Sequence, residues 1–198
     1  MNWNKLQEMQ LALDNAILQA KPKMTAEERF NKTLVALSVE VAEVANTVEH
    51  FKFWKDNKGK VDDKRFLKSY NSFYEEELYS DKTTGEREIS FEKAHKLTLV
   101  EECSDALHFI LSLANQSNIE IEYSWEVENI ADTSPTLEEK FIDLNWLMYD
   151  SFENKRFNTN LVEFFFSYFK ELSVTEQELK QAYYEKNKVN YERLREGY

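Results

Sequence analysis

Apolar positions along this 198-residue chain recur at three- and four-residue spacing, and strand-like alternation is not sustained anywhere. The spacing predicts a first helix over residues 3–20. It stops near Lys21-Pro22, because the residue before a proline is pushed out of the helical region. Thr25 and Glu28 make a capping box that opens a long helix from about 26 to 55, broken by the segment DNKGKVDDKR. Residues 60–89 are polar and charged, with a short helix predicted around 66–78 and a turn at Thr84-Gly85. Ser90 caps a second long helix that runs to about 118, and residues 119–133 read as acidic and irregular. Ser134-Pro135 opens a helix ending near 149, another spans 161–172, and the Thr175/Glu178 capping box starts the last one, 176–195.

With three glycines and two prolines among many Leu, Ala, Glu and Lys, the chain reads as all-α, a bundle of long helices. Residues 1–198 read as a single domain. Within it, 56–89 is an insertion between the two long helices, and 119–172 an additional helical lobe serving as lid or dimer surface.

The formal net charge of -12 argues against a nucleic-acid-binding surface, which needs a basic stripe to neutralise phosphates. It also means that a polyphosphate ligand requires metal ions or a local basic cluster. The single cysteine, Cys103, excludes an intramolecular disulfide and a cysteine-based zinc site, and is expected to be a packed thiol. The opening MNWNKLQEMQ lacks a signal-peptide pattern. The apolar run Leu161–Phe169 is interrupted by Glu163 and is too short to span a bilayer, so the expectation is a cytoplasmic protein with no membrane partner.

Helical wheels of the two long helices single out four acids. With Glu40 as origin, Ala36, Glu43, Val44, Thr47, Phe51 and Trp54 fall within about 60°, so Glu40 and Glu43 lie on the apolar stripe and Glu49 on the opposite, solvated side. With Glu102 as origin, Phe91, His95, Thr98, Leu99, Asp105, Ala106, Phe109 and Leu113 do the same, while Glu101 lies about 100° away. Ionised carboxylates on inward faces cost several kcal/mol each without compensation, and neither stripe contains a lysine or arginine. A hard divalent cation such as Mg²⁺ fits an all-oxygen donor set.

Three segments then carry a resemblance: Glu40-Val-Ala-Glu43 followed by FKFWK, Glu102-Cys-Ser-Asp105 continuing as ALHFILSLA, and the C-terminal KNKVNYERLREGY. In that order, on helices, they resemble the all-α dimeric dUTPases often encoded by phages, within the wider MazG-like pyrophosphohydrolases. The resemblance implies hydrolysis of dUTP to dUMP and pyrophosphate, with attack at the β-phosphorus and dUDP as a second substrate. It implies that Glu40, Glu43, Glu102 and Asp105 ligate two or more Mg²⁺ ions, with Mn²⁺ able to substitute, and that Glu43, aided by Glu40, orients or deprotonates water.

It further implies substrate contacts from Gln10 and Asp14 near uracil and deoxyribose, from Trp54 as a stacking surface, and from Lys52 and Lys55. His108, Lys186, Asn187, Asn190, Arg193 and Tyr198 complete that set, with thymine excluded by a tight wall at the 5-methyl position. His108, about 120° from the acid stripe, is expected to be a packed, hydrogen-bonded histidine more than a contact. A homodimer is implied, built partly from a surplus of large apolar residues that includes Phe164–Phe166 and Trp146, and a repressor-protein partner if the chain is phage-encoded. Departures are a longer stretch between the acid helices, with 58 residues between Glu43 and Glu102, and Leu194 where a glutamine commonly follows the arginine.

Three rivals stay open on the sequence. One is a MazG-like enzyme for another nucleotide such as dCTP. A second is a di-iron carboxylate protein, for which Glu92-Lys-Ala-His95 supplies one ExxH but no second is well placed. The third is a helical regulatory protein without catalysis.

Overall fold

The computed structural model describes residues 1–73, 75–126 and 134–197. Among these, six helices and one two-stranded hairpin follow in the order α1 (Trp3–Ala20), α2 (Ala26–Val48), β1 (Phe66–Asn71), β2 (Glu76–Asp81), α3 (Phe91–Gln116), α4 (Leu137–Glu153), α5 (Asn160–Glu171) and α6 (Glu176–Arg195). The protein is all-α in class, as its sparse glycine and proline imply. No described helix is long and apolar enough to cross a membrane.

Side-chain caps fix where the helices begin. Thr25 and Thr175 each accept a hydrogen bond from the backbone N–H of the glutamate three residues on, and the glutamate reaches back to the cap. Thr136 with Glu139 does the same for α4, so that helix starts after Thr136 rather than at Ser134-Pro135, and it runs on to Glu153.

α3 is the central element, packed against α1, α2 and α6, while α4 packs on α2 and α5. One apolar core unites them, with Leu6, Leu37, Val44, Cys103, Leu107, Ile110, Leu144, Phe165 and Phe166 in it. Each such side chain contributes roughly 1.5–3 kcal/mol by leaving water. Cys103 is a fully buried thiol, as expected. Phe165 and Phe166 belong to this core and Phe164 is partly buried against it, whereas Trp146 stays 60% exposed.

The expected long helix over 26–55 stops at Val48. Glu49 takes a left-handed conformation (φ 59°, ψ 25°) and its N–H closes on the Ala45 carbonyl. The turn swings Glu49 inward to 1% exposure, correcting its expected place on a solvated face. Lys52 and Lys55 both pair with its carboxylate, and the Gly59 N–H donates to it at 3.1 Å. Gly59 (φ 105°) has no room for a side chain, since an added Cβ would sit 3.0 Å from the His95 ring.

Where a short helix was expected over 66–78, β1 and β2 form an antiparallel pair that matches Phe66 with Asp81 through to Asn71 with Glu76. Asn71 accepts the Phe73 N–H in an Asx-type turn. In β1 only Phe66 is buried, so the strand has no apolar alternation to betray it. Phe66, Tyr79, Ile89 and Ala94 form a small second core that seats the hairpin on α3.

Candidate functional site

α2 and α3 bring three of the four predicted acids together. Glu40, Glu102 and Asp105 each offer an oxygen, and these oxygens lie within 4.8 Å of one another. Burial first, then the charges of Asp105 and Glu43, push the Glu40 carboxyl up to about 7. Burial followed by Asp105, Glu43, Glu40 and Glu101 pushes Glu102 up to about 8. Asp105 is likewise raised, by burial before anything else. Glu43 is exposed and outside the trio, yet close enough for its charge to act on Glu40 and Glu102.

A lysine that the helical wheels did not foresee reaches the cluster. Lys186 Nζ, from α6, donates to Asp105 Oδ2 at 2.6 Å and lies 3.6 Å from Glu101 Oε1. That ammonium, with the charge of Arg193 acting on Asp105 as well, does not balance the acids gathered here, as the raised carboxyls show. Hard oxygen donors at this separation fit Mg²⁺, whose ligands span about 4 Å across an octahedron. His95 does not join them, since its Nε2–H donates to the Thr47 carbonyl at 3.1 Å while its ring stacks on Phe91.

Toward the start of α2 and the end of α3 lies a cleft of about 420 Å³, the size of a small-ligand site. Gln10, Asp14, Arg29, Ala36, His108, Ser112, Asn190 and Arg193 line it, which places Gln10, Asp14, His108, Asn190 and Arg193 of the predicted contacts on one wall system. Gln10 Nε2 donates to Asp14 Oδ1 (2.7 Å), and Ser112 Oγ donates to Asp14 Oδ2 (2.6 Å). Gln10 Oε1 accepts from the Tyr183 hydroxyl (3.1 Å) and from His108 Nδ1–H (2.6 Å).

That arrangement fixes His108 as the Nδ1–H tautomer. Burial, with Lys186 adding to it, lowers the ring to about 3, so it stays neutral. Its ring stacks on Tyr183, in keeping with a packed histidine. Its Nε2 is buried without a hydrogen-bond partner among the described residues.

Other predicted contacts lie apart. Lys52 and Lys55 grip Glu49, and Trp54 is 66% exposed beside Phe53 (5.0 Å between ring centres), off the cleft and off the helical stripe on which it was expected. Asn187 is buried and its Nδ2 has no hydrogen-bond partner among the described residues. Tyr198 lies outside the described residues. Ser112, Arg29 and Tyr183 were missed. Ser112 stands one turn after His108, a signal the sequence did carry.

An all-α bundle that gathers three acids beside a concave cleft has the parts a nucleotide-processing hydrolase needs, oxygen donors for a cation and a surface to hold a small ligand. The chain matches the family described as dUTPase over residues 2–72 and 90–198 and belongs to that family, the all-α dimeric type. Its activity is accordingly that of a dUTP diphosphatase, hydrolysing dUTP. The match passes over residues 73–89, which hold β2 and its link to α3. No curated protein matches the chain.

Proposed function

We propose that dUTP hydrolysis here depends on Mg²⁺ held by Glu40, Glu102 and Asp105, with Glu43 serving the attacking water. The observation that carries this reading is the convergence of three partly buried carboxylates from two helices on one point. Bound there, Mg²⁺ supplies positive charge that offsets phosphate charge as the P–O bond breaks and lowers the pKa of water. In this reading the exposed Glu43 orients water and accepts its proton. Lys186 and Arg193 present cations to the phosphates from α6. Gln10, Asp14 and Asn190 hold the nucleoside in the cleft, and neutral His108 offers only its Nε2 lone pair.

Pyrophosphate release from dUTP, dCTP and dTTP, each with and without Mg²⁺, tests the reading. Glu43→Gln is expected to cut turnover by about 100-fold or more with the helical circular dichroism retained. Unchanged turnover in that variant, or undiminished activity in chelator, removes the metal-site argument.

The protein acts as a homodimer in this reading, through a face shared by α2 and α4. The two helices run antiparallel, tied at one end by His50 to Glu138 (3.1 Å) and at the other by Lys155 to Glu27 (2.8 Å). Val35 and Val39 on α2, and Ile142, Trp146 and Tyr149 on α4, are all roughly half to two-thirds exposed. Those side chains supply on the order of 500 Å², most of the ~800 Å² that a stable dimer buries on each partner.

A further inference from the structure

Asp81, at the end of β2, is 2% exposed and stands in the stretch that the family match passes over. It accepts the Thr83 N–H at 2.8 Å, which closes the turn after β2, and its other oxygen faces Arg65. Arg65 donates to that oxygen through Nη2 (2.8 Å) and Nε (3.3 Å), and through Nη1 to Glu101 Oε2 (2.9 Å). Glu101 Oε1 lies 3.6 Å from Lys186 Nζ, which sits 2.6 Å from Asp105 Oδ2. Alternating charges therefore run unbroken from the hairpin into the acid cluster.

Glu101 is a hazard in that position. It adjoins Glu102 in sequence, adds its charge to those already raising Glu102 and Asp105, and competes with Asp105 for the same ammonium. A guanidinium fixed by a buried carboxylate has little freedom to follow other partners, so it holds Glu101 in one place.

We propose that Arg65, anchored by Asp81, is a positioning residue for the hydrolytic site: it occupies Glu101 so that Lys186 stays on Asp105. The hairpin thus takes part in shaping the reaction centre through Asp81 and Arg65. The proposal rests on the reading of Glu102 and Asp105 as metal ligands.

The test is a double-mutant cycle on the full-length protein, measuring pyrophosphate release from dUTP across a Mg²⁺ titration. Arg65→Gln is expected to lower kcat at saturating Mg²⁺ by about 10- to 100-fold. Adding Glu101→Gln to Arg65→Gln removes the freed competitor and is expected to recover all but about 3-fold of the loss. A hairpin that merely loosens would not be repaired by deleting a charge on α3, so absence of rescue overturns the proposal, as does wild-type kinetics in Arg65→Gln. Wild-type protein that does not hydrolyse dUTP with Mg²⁺ would overturn the metal reading itself, a result separate from either. Thermal melts of each variant establish that the comparison is between folded proteins.

Discussion

Glu102→Gln keeps the length and shape of the side chain and removes one charge from the acid cluster, so its effect on stability isolates the cost of gathering those acids. The Glu102 carboxyl has an ordinary value of 4.5 and sits at about 8 in the folded protein. An acid raised by folding costs nothing below the unfolded value, and stability falls progressively as pH climbs from there to the folded value. At neutral pH the full interval traversed corresponds to about 3.4 kcal/mol at 1.36 kcal/mol per unit. The side chain is only partly buried, so solvent screening reduces this to about 1–2 kcal/mol.

Metal-free Glu102→Gln should therefore melt roughly 3–6 °C above the parent near pH 7.5, with the two converging near pH 4.5. Saturating Mg²⁺ should reverse the order, because about a hundredfold excess over Kd adds about 2.7 kcal/mol to the parent alone. Scanning calorimetry in chelator and in Mg²⁺ at both pH values is the assay. A variant that melts at or below the parent by the same margin at both pH values refutes the reasoning, since the cluster would then carry no electrostatic cost for a metal to relieve.

The Glu49 clamp predicts the opposite pH sign. Burial alone would raise this carboxyl, but hydrogen bonds from Lys52, Lys55 and the Gly59 N–H hold it down to about 2, so its contribution is complete above about 4.5 and fades as pH falls toward 2. Glu49→Gln should cost about 1–2 kcal/mol in urea unfolding at neutral pH, a modest figure because Lys52 and Lys55 stay 21% and 39% exposed, and no pH dependence in the difference would contradict the clamp. For the dimer face, sedimentation equilibrium should give twice the 23.6 kDa chain mass for the parent and a monomer for Ile142→Lys/Trp146→Lys. A monomeric parent would rule this face out as the interface.

Local chemistry made much of the helical framework legible. α1 and α6 begin and end where the pattern puts them, because a proline stop and capping boxes act within four residues of the boundary. The acid pairs were readable for the same reason. Periodicity alone sets Glu40, Glu102 and Asp105 on inward faces, and the fold brings their oxygens together.

What failed depends on contacts distant in sequence. Wheel geometry holds only while a helix continues, and α2 stops where Glu49 turns left-handed and meets Lys52, Lys55 and Gly59, so Glu49 moved inside while Phe51 and Trp54 moved out. The hairpin escaped notice because one face of a two-stranded ribbon on a small core buries too few residues to print an alternation. Lys186 reaching Asp105, and Arg65 joining Asp81 to Glu101, pair residues 81, 16 and 36 positions apart. The sequence by itself determined which faces carry the acids, since that is set by the helical repeat. Only the tertiary structure decided which cations answer them, because charge pairing follows distance in space and the chain's local rules are blind to it.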